Sequence, residues 1–314
     1  MWPLIRLLPR EFHFNFVRLA PYAAILSAIL ILLSGAAFFA KGLNLGIDFI
    51  GGSMIEVQTK GPADIGLLRS TMASVGGEDA QVQQLGTTNG ALLRFRTAEG
   101  VNAVDGAERI KTELTKVFPG IAFKKVEVVG PKVSGELMQG GFMALGIAVL
   151  LMLLYIWFRF QLQFGLGAVV AVFHDVLLTL GLLAFTQLEF SMTSIAALLT
   201  VIGYSMNEKV ITFDRLRENL RKYKTAPLAD VINRSENERL SRTLITGSTA
   251  ILALSGALVF GGPVLEPLVV TMVFGIVVGT YSSIYVALPI ILLWGVKRGD
   301  EPAEPLKPAA AARR

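Results

Sequence analysis

The sequence predicts an α-helical polytopic membrane protein: six transmembrane helices, with one small α+β domain of ferredoxin-like order placed after the first. Three observations carry this. Hydrophobic residues make up 53% and charged residues only 17% of 314 positions, too apolar a balance for a soluble domain of that size. Six apolar runs each approach the ~20 residues that cross a hydrocarbon core. Between the first two runs lies a long polar interval in which Lys and Arg equal Asp and Glu in number.

Residues 1–20 read as a cytoplasmic segment carrying Arg6, Arg10 and Arg18 ahead of the first run, 21–40. Basic residues before an apolar stretch resemble a signal peptide. This run exceeds a normal h-region, however, and AAFFAKG offers no A-x-A cleavage site, so it reads as a retained anchor. Residues 41–137 form the polar interval. SMIEVQT (53–59) alternates as a strand, Ile65, Leu68, Met72 and Val75 step as a helix, and AQVQQL and ALLRFR are short strands. Ala107, Ile110, Leu114 and Val117 share a second helical face, FPG ends it, and AFKKVEVV (122–129) alternates again. The order β-α-β-β-α-β is that of a ferredoxin-like split βαβ.

Residues 138–296 hold the other spans, 138–158, 164–186, 191–213, 243–262 and 266–296, with a cytoplasmic loop at 214–242. The Pro/Ala-rich, charged tail 297–314 is expected to be disordered. Lys and Arg crowd the N-terminal segment, the 159–163 turn, the 214–242 loop and the tail, while the turns near Glu189 and Glu266 hold none. By the positive-inside rule both termini are cytoplasmic and 41–137 is exported. The net charge of +5 is that topological bias and gives no reason to propose a nucleic-acid partner.

Zero cysteines exclude disulfides, thiolate metal sites and cysteine nucleophiles. The sequence has no HExxH, no Ser/His/Asp constellation and no GxxxxGK[ST] loop, and the intramembrane His174 has no second His with which to share a metal. Neither enzyme chemistry nor a cofactor is expected.

Few ionisable residues fall inside the spans: His174, Asp175, Glu208 and Lys209, with Arg242 at the mouth of the fifth. A charge at mid-bilayer costs roughly 2.5–3.5 kcal/mol on insertion scales, so such groups face a protein or water-filled interior. Counting ~1.5 Å per residue places His174-Asp175 near mid-membrane and Glu208 in the cytoplasmic half. Arg242 enters from the same side, so Glu208 and Arg242 are expected to meet. A carboxylate that separates from and rejoins a guanidinium can load and release a proton. The plainer reading is a structural ion pair, with Arg242 or with a partner chain. His174-Asp175 reads equally as part of a proton path or as a hydrogen-bonded pair between helices. Lys209 is expected to snorkel to the inner interface. Gly46, Gly51 and Gly52 allow a tight turn where the chain leaves the membrane, or serve as a hinge.

GLNLGIDFIGG (42–52), VGPKVSGEL (129–137), the His174-Asp175 pair, IGYSMNEKVITFDRLRENL (202–220), LSRTLITGSTA (240–250) and GTYSSIYVA (279–287) occur in an order and spacing that closely resemble the SecF family, the smaller half of the SecD–SecF accessory complex of bacterial protein export. The resemblance covers about residues 20–296. Three positions depart from the family pattern: Ile50 stands for Thr, Ser134 for Gly, and Glu208 for Asp.

The resemblance implies a multi-pass protein of the bacterial inner membrane, of the resistance-nodulation-division superfamily. It implies a heterodimer with a SecD-like chain that assists the SecYEG channel through the proton-motive force, with YajC and YidC as neighbours and exported unfolded polypeptides as cargo. It points to Glu208 for proton movement; Arg242, Asp175, His174 and Asn207 join it as proton-coupling candidates, and Gly46, Asp48, Gly51 and Gly52 are motif or hinge candidates. The competing classes are a small-molecule half-transporter of the same superfamily and a passive membrane scaffold.

Overall fold

The structure, a computed structural model of the chain, describes residues 12–296 apart from 76, 86–87, 98–102, 161 and 263–264. The tail expected to be disordered, and Arg6 and Arg10, lie outside the described residues.

The first helix, α1 (Phe16–Lys41), starts ahead of its apolar run because the Asn15 side chain accepts from the Arg18 amide at 3.0 Å, capping the first turn. A two-residue strand β1 (Asn44–Leu45) and the single turn α2 (Ile47–Ile50) lead into β2 (Gly52–Gln58), α3 (Ile65–Ser74), β3 (Gly77–Gln84), β4 (Gly90–Thr97), α4 (Ala103–Val117) and β5 (Ala122–Val129). The last four strands named form one sheet in the order β3-β4-β2-β5, every neighbouring pair antiparallel. Its buried face, with Ile55, Val57, Leu93 and Phe95, packs on Leu68 and Met72 of α3 and Ile110 and Leu114 of α4. The period-2 and period-3.6 patterns of the sequence place these elements, since each buries its apolar set against the other layer.

Next come α5 (Pro131–Arg159), α6 (Leu162–Thr186), β6 (Glu189–Phe190), α7 (Met192–Lys222), α8 (Leu228–Phe260), α9 (Glu266–Ser282), a π-helical turn at Ser283–Ala287, and α10 (Leu288–Trp294). Five stretches among the described residues are long and apolar enough to cross a membrane: Phe16–Lys41, Pro131–Ile156, Leu162–Thr186, Leu228–Phe260 and Glu266–Trp294. Side chains such as Leu32, Phe39, Phe158 and Phe260 are largely exposed, as suits contact with lipid tails. The chain is a multi-pass membrane protein. Helices α6 and α7 carry the most buried residues, whereas α1, α5 and the apolar half of α8 are mostly unburied.

Further boundaries differ from the sequence reading. The 214–242 segment is not a loop: α7 runs on to Lys222 and α8 starts at Leu228. Leu216, Leu220, Val231 and Ile232 bury against one another and extend both helices beyond their apolar runs. Likewise α5 begins at Pro131 rather than 138, with proline at its first position, where its missing N–H costs nothing. Hydropathy ends where composition changes; the hydrogen-bond ladder ends elsewhere.

Close approach of α7 and α9 depends on small residues. A Cβ on Gly279 would lie 3.0 Å from Ser205 Cβ and 3.1 Å from its Cα. The π turn precedes Pro289, which has no N–H and crowds the carbonyl of the preceding turn.

Candidate functional site

Polar groups in the membrane-crossing part gather in two buried clusters. The first joins α1, α6, α7 and α9. Lys209, 0% exposed, donates to Asp175 Oδ2 at 2.9 Å, to Ser205 Oγ at 2.5 Å and to Ser282 Oγ at 3.0 Å, which uses all three ammonium protons. Both serines in turn donate to Asp175 Oδ2, Ser282 at 2.7 Å and Ser205 through a short contact. Asp175 Oδ1 meets His174 Nδ1 at 3.0 Å, and His174 Nε2 meets Ser27 Oγ of α1 at 3.1 Å. The chain of contacts ends at Tyr281, whose hydroxyl lies 3.0 Å from Ser27 Oγ and donates to the Ala23 carbonyl at 2.7 Å.

The second cluster joins α7, α8 and the π turn. Arg239 donates through Nε to both oxygens of Glu236, at 2.8 and 2.9 Å, and its Nη2 lies 2.6 Å from Glu236 Oε2. The same guanidinium reaches Glu208 Oε2 at 3.3 Å, Thr243 Oγ1 at 2.8 Å and Ser283 Oγ at 3.0 Å. The Thr243 hydroxyl in turn donates a hydrogen bond to Glu208 Oε2 at 3.0 Å. Glu208 Oε1 is buried and has no hydrogen-bond partner.

Three expectations are corrected. The partner of Glu208 is Arg239, and Arg242 is exposed: Arg239 and Thr243 share the face of α8 turned to α7, and Arg242, one residue before Thr243, falls about 100° round the helix from it. Lys209 does not snorkel; it is buried in an ion pair with Asp175, as the inward face of α7 demands. Asn207, one position before Glu208, is exposed on the outer face of α7 rather than lying in either cluster. His174 and Asp175 bond each other and also tie α6 to α1, α7 and α9.

The glycine-rich segment after α1 forms a joint between the sheet and the membrane-crossing helices. Strand β1 pairs parallel with β6, and the Gly46 amide donates to the Phe190 carbonyl at 2.8 Å. Asp48 Oδ2 accepts from the Met192 amide at 2.9 Å and so caps α7. Gly51 and Gly52 have φ of 69° and 123°, and a Cβ on Gly52 would run into the Phe95 carbonyl, so these two positions need glycine. Arg94 of β4 pairs with Glu189 of β6. Burial lifts the Glu189 carboxyl above its ordinary 4.5, against the pull of the Arg94 guanidinium.

Residues 109–297 match the family model for the protein export membrane protein SecD/SecF, C-terminal region, and residues 36–63 match the SecD/SecF GG motif. A Protein translocase subunit SecF of Cereibacter sphaeroides is 41% identical over 303 residues, covering 94% of each chain. That of Rhodobacter capsulatus is 42% identical over 316 residues, covering 96% of this chain and 95% of its own. The chain belongs to the SecF family. A crystal structure of SecDF from Thermus thermophilus, a translocon-associated membrane protein, superposes with a TM-score of 0.83 at 33% identity. The match covers 94% of the present chain and 39% of that one. SecDF in a super-membrane-facing form gives a TM-score of 0.68 at 34% identity, over the same shares.

Sequence reasoning missed Glu236 and Arg239 in this SecF-family chain because both fall in the stretch taken as a loop. The signal was present: Leu228, Ile232, Ser235, Arg239 and Thr243 recur at steps of three and four, the spacing of one helical face.

Proposed function

We propose that this chain is an accessory subunit of the Sec protein translocase that, with a SecD-like partner, uses the proton-motive force to promote late, periplasmic-side steps of export through SecYEG. The observation that carries this is the buried Glu208–Arg239–Glu236 cluster beside Asp175–Lys209, in a chain of the SecF family. Ion pairs buried at the level of apolar spans are costly, and a proton that changes their pairing is a direct use for them. Moving one charge down 100 mV yields about 2.3 kcal/mol, enough to bias a conformational change.

In this reading α7, whose 31 residues span about 46 Å, is the sixth transmembrane helix. Its Glu208 and Lys209 lower its hydropathy without keeping it out of the bilayer, since they are satisfied inside the protein. The four-stranded sheet with α3 and α4 is a ferredoxin-like periplasmic domain, roughly 41–137. Both termini are cytoplasmic, and the membrane is the bacterial inner membrane. Asn207 and Arg242 present polar groups outward from α7 and α8, where hydrocarbon would leave them unsolvated and a SecD-like helix would receive them. SecYEG, with YajC and YidC as neighbours, supplies the channel-side partners, and no enzymatic step is needed.

The test is co-purification with a SecD-like chain, followed by translocation in inverted vesicles with and without an imposed proton gradient. Gradient-dependent stimulation is expected from the pair and from neither chain alone. Equal stimulation without the partner, or none that responds to the gradient, contradicts the proposal.

A further inference from the structure

Arg239 stands between two carboxylates. Glu236 is 0% and Glu208 1% exposed, and one guanidinium serves both. Counting fixed charges in this cluster gives two acids against one base. The neighbouring cluster does not make up the difference, since the Lys209 ammonium is already matched by Asp175. An uncompensated negative charge at this depth would cost several kcal/mol, and a carboxylate escapes that cost by taking a proton. Arg239 holds the two acids unequally. Glu236 holds Arg239 with both oxygens, whereas Glu208 has one long contact through Oε2 and leaves Oε1 buried without any partner.

We propose that Glu236 is the second acid of the Glu208 site, and that Glu208 and Glu236 hold one proton between them with Arg239 as their shared counter-ion. This deepens the proton-coupling reading above and rests on it for its biological use. In the arrangement seen, Glu236 is the ionised partner of Arg239 and the proton sits on Glu208. When the proton passes to Glu236, the guanidinium turns to Glu208, and no net charge is created or moved out of the cluster. Thr243, which accepts from Arg239 and donates to Glu208, and Ser283, which accepts from Arg239, offer hydroxyls to either state.

Among the described residues, the titratable groups facing the pair are Arg239 of α8, Tyr204 of α7, which faces Glu208, and Tyr285 of the π turn, which faces Glu236. Lys209 lies beyond Glu208, on the side of Asp175 and His174. Glu236 sits almost one helical turn nearer the α7–α8 connection than Arg239. A separate polar set lies at that end, where Asn219 donates to Ser235 Oγ at 3.0 Å and to the partly exposed Glu238 at 2.7 Å. A proton on Glu236 is therefore closer to that end of the bundle than one on Glu208.

The experiment is infrared spectroscopy of the purified complex with its SecD-like partner, reading the carbonyl stretch of a protonated buried carboxyl at neutral pH. Wild type is expected to show the band. Glu236→Gln and Glu208→Gln each leave one carboxylate with one guanidinium, so each alone abolishes it. Arg239→Gln, the second route if a single acid variant fails to assemble, leaves two acids without a counter-ion and raises the band about twofold. A wild-type spectrum without the band, its survival in Glu236→Gln, or no rise in Arg239→Gln overturns the proposal. Because the spectrum needs no translocation, a failure of gradient-driven export with these bands intact would count against the function and not against the shared proton.

Discussion

Replacing Lys209 with Met tests how much the Asp175 cluster depends on its ion pair. The side chain keeps its volume and loses its charge, so packing of α7 against α9 changes little. At 2.9 Å the pair attracts by about 6 kcal/mol at an effective dielectric of 20, before desolvation is set against it. Removing one member of a buried pair costs about 3–5 kcal/mol. The loss has a ceiling of about 4 kcal/mol, because that is what protonating an ordinary aspartate costs at pH 7. Ser205, Ser282 and His174 still face Asp175, which moves the expected value to the lower end, about 3 kcal/mol. Lys209→Met/Asp175→Asn removes both charges and should return to within about 1 kcal/mol of wild type. The assay is SDS-driven unfolding of the purified complex in mild detergent, read as a double-mutant cycle. A coupling energy below about 0.5 kcal/mol, or a double variant as unstable as the single, would refute the reasoning.

At the joint, Glu189 gives a pH dependence. A carboxyl whose folded value is raised contributes stability that is full below its unfolded value and fades as pH rises through the folded one. Exchange of the Gly46 amide, corrected for its intrinsic rate, should therefore slow as pH falls from 7 toward 4.5, and Glu189→Gln should remove that trend. Gly52→Ala places a Cβ at φ 123° against the Phe95 carbonyl and should weaken the joint, seen as faster proteolysis between α2 and β2 with assembly retained; unchanged proteolysis would show that the backbone there adjusts freely. For orientation, a cysteine at exposed Thr88 should react with a membrane-impermeant maleimide from the periplasmic side, and one at exposed Arg221 should not; the reverse pattern would invert the topology.

The polar domain was legible because each of its elements carries an apolar period that only one secondary structure satisfies. Ile55 and Val57 alternate, Leu68 and Met72 step by four, and the structure buries all four in one core. The choice of Glu208 as the acid to examine also came from sequence, since an acid in an apolar run stands out. Its partner did not, because depth along a span fixes which residues are level and says nothing of azimuth. Arg242 and Arg239 differ by three residues and about 1.5 Å per residue of rise, yet one faces out and the other faces Glu208. Lys209 was misjudged for a related reason. Snorkelling presumes a lipid-facing side chain, and its place on the inward face of α7 was set by Ser205 and the glycine at position 279 rather than by hydropathy. Glu236 was hidden by the assumption that a polar stretch between two spans is a loop.

The central claim is that the Glu208 carboxylate couples a proton to export, and Glu208→Gln tests it most directly. Gln keeps the size and the contact with Thr243 and Arg239 but cannot titrate. The measurement is stimulation of substrate translocation in vesicles carrying the assembled complex, with and without an imposed proton gradient, alongside Glu208→Asp as the conservative control. Normal assembly and loss of gradient-dependent stimulation are expected in Glu208→Gln, with stimulation retained in Glu208→Asp. Full gradient-dependent stimulation by a correctly assembled Glu208→Gln complex would contradict the claim and leave the carboxylate a structural group.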